Sequence, residues 1–123
     1  MFELKVLTHF AAAHRLRMVG NQCENLHGHN WKIEVCVTGS QLTDTGLLID
    51  FGELKAYVRE VIEELDHRFL NELDFFSDGN PSSENIAVYI ATRVQKMMTA
   101  TNARVSRVSV WESDNACATY IPD

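Results

Sequence analysis

The sequence has few of the features that mark secreted or membrane-spanning proteins. Its 123 residues include only three cysteines and two prolines. No apolar run approaches the roughly 20 residues that a transmembrane helix needs. Residues 1–5 lack the basic and apolar segments of a secretory signal, so the cytoplasm is the expected compartment. In that reducing compartment, an odd number of cysteines without paired spacing predicts free thiols and no disulfide framework.

Positive charge is also scarce. Eleven Lys and Arg residues stand against seventeen Asp and Glu residues, which gives a formal net charge of -6. A surface of this sign opposes binding to a phosphate backbone, and no basic cluster offsets it. We therefore expect neither a nucleic-acid partner nor a membrane partner. A small anionic substrate is still compatible, because a metal ion and one or two basic groups can dominate a local pocket.

Alternating apolar and polar residues predict strands at both ends of the chain. Residues 2–14 and 31–38 show the two-residue period of half-buried strands. Residues 105–111 and 116–121 show it again and predict a β-hairpin, because turn-forming residues separate them.

Two amphipathic helices are predicted in the middle of the chain. Asp50 precedes apolar residues at helical spacing and is a predicted N-cap, and Ser82 or Ser83 has the same role behind Pro81. The length of the chain and the absence of linkers predict one α+β domain over residues 1–123. The element order favours an antiparallel sheet with both helices on one face. The second face then meets water or packs on other subunits.

The segment most typical of a functional site is Cys-Glu-Asn-Leu-His-Gly-His-Asn-Trp at residues 23–31. His27 and His29 are separated by one residue on an extended backbone, so both can bind one cation from the same face. A third imidazole can come from His14, because neighbouring strands place residues of a shared face about 5 Å apart. Three neutral nitrogen ligands favour zinc and leave a fourth tetrahedral position open.

Sequence spacing leaves alternatives to this interpretation open. The two histidines of residues 23–31 could form a hydrogen-bonded surface pair. Cys23 could also be the fourth ligand of a closed structural zinc site in a non-catalytic, zinc-stabilised assembly protein. His9 lies out of phase with His14, which predicts a structural or solvent-facing role.

Acid and base groups occur at two further places. Asp66 and His67 follow the first predicted helix, where a carboxylate can fix the tautomer of a proton-transferring imidazole. A histidine there can equally compensate the helix macrodipole. Glu112, at the end of a strand, can accept two parallel hydrogen bonds from the edge of a heterocycle, although an exposed Glu is usually only solvated.

Five motifs, taken in order, resemble the 6-pyruvoyltetrahydropterin synthase family. They are Ala13-His14-Arg15-Leu16, Cys23 with His27-Gly28-His29-Asn30, Leu65-Asp66-His67, Pro81-Ser82-Ser83-Glu84-Asn85, and Trp111-Glu112-Ser113. The bacterial 6-carboxytetrahydropterin synthase branch, which serves queuosine biosynthesis, is similar in length. The resemblance implies the tunnelling fold, a four-stranded antiparallel sheet with two helices on one face. It also implies trimers whose sheets close into a β-barrel, stacked as a homohexamer with sites between subunits.

The resemblance further implies a metal site and a reaction. His14, His27 and His29 would bind Zn²⁺, and Cys23 would be the general base. The implied substrate is 7,8-dihydroneopterin triphosphate. The implied lyase reaction releases triphosphate and acetaldehyde and forms 6-carboxy-5,6,7,8-tetrahydropterin. In the animal branch the product keeps its three-carbon chain, and the residues for the two outcomes overlap.

Other positions take their implied roles from the same motifs. Asp66 and His67 would form a proton relay contributed by a neighbouring subunit. Glu112 would anchor the pterin ring, aided by Glu84. Some relatives use a glutamate beside or in place of the cysteine to make 6-hydroxymethyldihydropterin for folate. Because Glu24 directly follows the cysteine, dual activity is a second expectation.

Overall fold

The computed structural model describes residues 1–18, 24–99 and 101–123. Its helices and strands, in chain order, are β1 (Phe2–His14), β2 (His27–Gly39), α1 (Phe51–Glu63), β3 (Arg68–Phe69), α2 (Ser83–Met97), β4 (Arg104–Ser113) and β5 (Ala116–Tyr120). The α+β class is confirmed, as are the long strands, the two helices and the carboxy-terminal hairpin.

The strands form one sheet in the order β3-β1-β2-β4-β5. β1 and β2 pair antiparallel along their whole length, from Phe2 opposite Gly39 to His14 opposite His27. β2 pairs antiparallel with β4, and β4 with β5. β3 has two residues and pairs with β1 in parallel. The expectation of a four-stranded antiparallel sheet is therefore corrected to a five-stranded mixed sheet.

The extra strand is held beside β1 by contacts that precede it. The Ala11 amide donates a hydrogen bond to Asp66 Oδ1 at 2.9 Å. The His67 amide donates to the Ala11 carbonyl at 2.6 Å. These two bonds bring Arg68 opposite Ala12. A strand of two residues has no detectable period, so the sequence pattern could not reveal it.

Both helices cover one face of the sheet, as the sequence predicts. Alternate strand residues on that face are buried: Val6, Phe10, Trp31, Ile33, Val35, Val37, Val108 and Val110. The helices add a buried stripe of their own: Leu54, Val58, Val61, Ile86, Ile90 and Val94. The opposite face carries ion pairs, which include Glu3 with Arg107 and Lys5 with Glu34. Among the described residues, no helix is both long and apolar enough to cross a membrane.

Side-chain caps set the start of each helix. Asp50 Oδ2 accepts a hydrogen bond from the Glu53 amide at 3.1 Å, which confirms the predicted N-cap of α1. Ser82 Oγ accepts one from the Asn85 amide at 3.1 Å and is the N-cap of α2. The cap of α2 also fixes the position of Pro81, which precedes it and contacts the histidine site.

Candidate active site

Three imidazole rings converge where β1 ends and β2 begins. His14 lies opposite His27 in the sheet register, and His29 lies two residues further along the same face. The ring centroids of His14 and His27 are 4.7 Å apart, and those of His27 and His29 are also 4.7 Å apart. The centroids of His14 and His29 are separated by 5.2 Å. The structure thus brings together the three residues that the sequence predicts as metal ligands.

Backbone carbonyls and a tryptophan orient these rings. His14 Nδ1 is 2.7 Å from the Pro81 carbonyl oxygen, and His27 Nδ1 is 2.8 Å from that of Asn25. Because a carbonyl oxygen can only accept, Nδ1 carries the proton in both rings and Nε2 is left with a lone pair. Trp31 packs edge-on against the rings of His14 and His29. The lone pairs of Nε2 are therefore free to bind a cation.

The Nε2 atoms meet one carboxylate at a common point. His14 Nε2 lies 3.0 Å from His27 Nε2. Glu112 Oε1 lies 2.9 Å from His29 Nε2 and 3.4 Å from His14 Nε2. All four ligand atoms are within 4.8 Å of one another. The His14 side chain is 1 % exposed and that of Glu112 is 37 % exposed, so the group is open to solvent on the Glu112 side.

These residues fit a zinc ion. Nε2 of His14 and Nε2 of His27 both have lone pairs, so their separation of 3.0 Å is unfavourable without a cation or a proton between them. His29 Nε2 is buried and has no hydrogen-bond partner of acceptable geometry. A buried nitrogen without a partner is costly, and a bound metal removes that cost. Three imidazole nitrogens with one carboxylate oxygen are a donor set that zinc accepts in tetrahedral sites.

The electrostatics of the site favour neutral imidazole. Burial lowers the pKa of His29 below its ordinary value of 6.5. Glu112 acts in the opposite direction, and the neighbouring His14 and His27 lower the pKa further. His29 is therefore uncharged at neutral pH, which is the form that binds a metal.

Asp66 and His67 form a pair of their own, outside the histidine cluster. His67 Nδ1 is 3.0 Å from Asp66 Oδ2. The hydrogen bond from the Ala11 amide, followed by the contact with His67, holds the pKa of Asp66 below its usual range. His67 has a left-handed backbone conformation with φ 58°, and its side chain is 81 % exposed. An exposed imidazole with its tautomer fixed by a carboxylate is suited to proton transfer.

A cleft lies on the sheet beside His29 and His67. It has a volume of about 550 Å³ and is lined by residues 11–13, 28–30 and 67–69, so that His29 and His67 both border it. This volume is within the range of about 300–1,000 Å³ that small-molecule sites occupy. Four of its nine lining residues are alanine or glycine.

Three further predicted site residues are Cys23, Glu24 and Glu84. Cys23 is outside the described residues. Glu24 Oε1 accepts a hydrogen bond from the Leu16 amide at 3.0 Å, and the Glu24 amide donates to the Leu16 carbonyl at 3.0 Å. Glu84 is exposed in the first turn of α2. The catalytic and binding roles of these three residues stay predictions.

The sequence does not reveal that Glu112 belongs to the histidine cluster. Glu112 is far from the histidines in sequence, and its sequence context predicts ring binding only. The β2–β4 pairing places Trp111 opposite Lys32, and Glu112 then extends onto the face that carries His29. Alternation from Val108 and Val110 would put Glu112 on the buried face, but only the strand register reveals its neighbour.

Comparisons with known proteins identify the family of this chain. A family model described as 6-pyruvoyl tetrahydropterin synthase matches residues 3–123. The chain is 38% identical over 105 residues to a dihydroneopterin monophosphate aldolase of Pyrococcus furiosus, covering 85% of this chain and 84% of the relative. It is 27% identical over 124 residues to a 6-carboxy-5,6,7,8-tetrahydropterin synthase of Rickettsia felis, covering 86% of this chain and 90% of the relative.

A solved structure matches almost the whole fold. The 6-pyruvoyl tetrahydropterin synthase of Caenorhabditis elegans superimposes with a TM-score of 0.87 at 26% sequence identity. The match covers 99% of this chain and 96% of the other. The chain therefore belongs to the 6-pyruvoyl tetrahydropterin synthase family and is an enzyme of the pterin-synthase type.

Proposed function

We propose that this enzyme is a zinc-dependent lyase that converts 7,8-dihydroneopterin triphosphate to 6-carboxy-5,6,7,8-tetrahydropterin, with loss of triphosphate and acetaldehyde. The observation that carries the proposal is the convergence of the Nε2 atoms of His14, His27 and His29 beside an open cleft. The likeness to the Rickettsia felis enzyme supports the choice of product. Bound by these imidazoles, zinc would supply a Lewis acid that polarises an oxygen atom of the substrate side chain.

Cys23 is the proposed general base. Its neighbour Glu24 is tied to Leu16 by two hydrogen bonds, one through its amide and one through its carboxylate. The chain that follows Cys23 is thereby held close to the chain that follows His14. A cation nearby lowers the pKa of a thiol, which increases the fraction of thiolate available to take a proton.

The proposed proton relay consists of Asp66 and His67. The hydrogen bond from Ala11 fixes one carboxylate oxygen of Asp66, and the other oxygen contacts His67 Nδ1. Nε2 of His67 is then directed away from Asp66 and can exchange a proton with the substrate. Glu112 is the proposed anchor of the pterin ring, with Glu84 as an additional contact.

A homohexamer built from trimers is the proposed assembly, with each active site between two subunits. Among the described residues, β3 covers β1 only at Ala12 and Ala13, so the rest of this edge of β1 has no neighbouring strand. At the other side of the sheet, β5 pairs with β4 alone. Unpaired strand edges favour pairing between chains, and joining β5 to β1 of the next subunit would close a barrel.

A mixing experiment tests whether sites are shared between subunits. We expect His29→Ala and His67→Ala to be nearly inactive alone and to regain activity when unfolded together and refolded as a mixture. In mixed oligomers, about a quarter of the intersubunit sites combine an intact His29 with an intact His67. Recovery of roughly a quarter of wild-type turnover is therefore expected. If the relay serves the metal of its own chain, the mixture stays inactive, and the intersubunit proposal fails.

Identification of the products tests the proposed reaction. The zinc-loaded enzyme is incubated with 7,8-dihydroneopterin triphosphate, and the products are identified by mass. We expect acetaldehyde, triphosphate and a carboxylated tetrahydropterin. A product that keeps the three-carbon chain would contradict the carboxylating reaction and select 6-pyruvoyltetrahydropterin synthesis. No turnover at all would favour a non-catalytic, zinc-stabilised assembly protein.

A second candidate function is the formation of 6-hydroxymethyl-7,8-dihydropterin. The observation in its favour is the 38% identity to the Pyrococcus furiosus aldolase, together with the Cys23-Glu24 pair. In the structure the Glu24 carboxylate already accepts a hydrogen bond from the Leu16 amide, which favours a structural role for it. A hydroxymethyl product in the same assay that disappears in Glu24→Gln would establish this activity.

A further inference from the structure

We propose that Glu112 is the fourth ligand of the metal in the resting enzyme and that it leaves the metal when the pterin binds. This inference rests on the zinc site of the proposed function. It adds a second role for Glu112, whose only other proposed role is to hold the pterin ring.

Three of the distances between donor atoms are close to the edge lengths of a tetrahedral site. With metal–ligand distances of about 2.0–2.1 Å, the edges of a regular tetrahedron are about 3.3 Å long. Glu112 Oε1 is 2.9 Å from His29 Nε2 and 3.4 Å from His14 Nε2. His14 Nε2 is 3.0 Å from His27 Nε2. All four donor atoms lie within 4.8 Å of one another, so the carboxylate oxygen is close enough to take the corner that the three imidazoles leave open.

The contact between this carboxylate and His29 is short but poorly aligned for a hydrogen bond. Glu112 Oε1 and His29 Nε2 are close together, yet the geometry leaves the nitrogen without a hydrogen-bond partner. A metal ion between the two atoms would satisfy both. The carboxylate also offsets part of the divalent charge, which three neutral imidazoles leave uncompensated next to the buried His14.

The same carboxylate is free enough to be released. The Glu112 side chain is 37 % exposed, and its shortest contacts to His14 and His29 are made by Oε1. It is the second-to-last residue of β4, and the hairpin turn follows one residue later. To hold the edge of a pterin, a carboxylate uses both oxygens in parallel hydrogen bonds. Because one carboxylate cannot bind the metal and the ring together, ring binding opens the fourth position for the substrate oxygen.

Metal affinity and cobalt spectroscopy test this proposal without an activity assay. The enzyme, Glu112→Gln and Asp114→Asn are each loaded with zinc in competition with a coloured chelator. Asp114→Asn removes the same charge from an exposed turn residue two positions away. We expect Glu112→Gln to weaken zinc binding by about tenfold or more, and Asp114→Asn to bind zinc like the wild type. Even the removal of a residue that only hydrogen-bonds to a metal ligand costs about 10–100-fold in metal affinity.

Cobalt reports the coordination itself. In the Co²⁺-loaded enzyme, Glu112→Gln is expected to change the visible absorption of the metal, and Asp114→Asn to leave it unchanged. Addition of 7,8-dihydroneopterin, which lacks phosphate, is expected to change the wild-type spectrum as the carboxylate departs. Thermal unfolding of the metal-free variants checks the fold, since only the stabilisation by zinc should differ.

Each contrary result has a distinct meaning. Equal zinc affinity and equal cobalt spectra in the wild type and Glu112→Gln would overturn the assignment of Glu112 as a ligand. If Asp114→Asn weakens zinc binding as much as Glu112→Gln does, the assignment is also overturned, because the loss of a nearby negative charge would then explain both effects. If the wild type binds no zinc, the proposed function itself fails.

Discussion

His29→Ala is expected to abolish tight zinc binding and turnover together. His29 supplies one of the three convergent imidazoles, and a catalytic zinc site needs three protein ligands. We expect turnover to fall by more than about 100-fold. This loss exceeds the one caused by removing a residue that only hydrogen-bonds to a metal ligand. The metal-free variant should keep its fold, because the β1–β2 pairing is made by the backbone and His29 is only half-buried. Metal content after gel filtration and product formation are the two measurements.

A matched control for this variant is available on the same sheet. His9 is an exposed histidine of β1 and is absent from the cluster of possible ligands. His9→Ala should keep both zinc and turnover. If His29→Ala instead keeps both, the metal site is assigned to the wrong residues. Unfolding of His29→Ala at room temperature would favour a structural zinc site, since such sites supply folding energy.

The convergence of the histidines could be predicted because it depends on local rules. A two-residue period places His27 and His29 on one face, and a hairpin-like pairing of the first two strands places His14 opposite them. The caps Asp50 and Ser82 were predictable for the same reason, since each acts on an amide three residues away. Features that depend on few residues close in sequence can be predicted from the sequence.

The membership of Glu112 in the cluster depends on longer-range geometry. The pairing of β2 with β4 shifts by one residue between Cys36 and Val37, so alternation counted from Val105 would place Glu112 on the wrong face. The strand β3 depends on Asp66 and His67 bonding to Ala11, which lies more than fifty residues earlier in the chain. Neither contact produces a periodic pattern in the sequence, so both are seen only in the three-dimensional structure.

Cys23→Ala is expected to keep the fold and the zinc but to lower turnover by about 10²–10⁴-fold, the usual contribution of a general acid or base. Cys117, an exposed thiol on β5, offers a matched control, and Cys117→Ala should turn over like the wild type. Equal turnover in Cys23→Ala would refute its role as the base.

Zinc affinity of the same variant separates the two roles that the sequence leaves open for this cysteine. A closed structural site would lose affinity with Cys23, whereas a base next to the metal would not. If Glu112 Oε1, which lies 2.9 Å from His29 Nε2, is the fourth ligand as proposed, no tetrahedral corner is left for a sulfur ligand in the resting enzyme. We therefore expect the zinc affinity of Cys23→Ala to be unchanged and that of Glu112→Gln to fall. The opposite result in both variants would make the cysteine the ligand, and the carboxylate would then be free to serve the pterin alone.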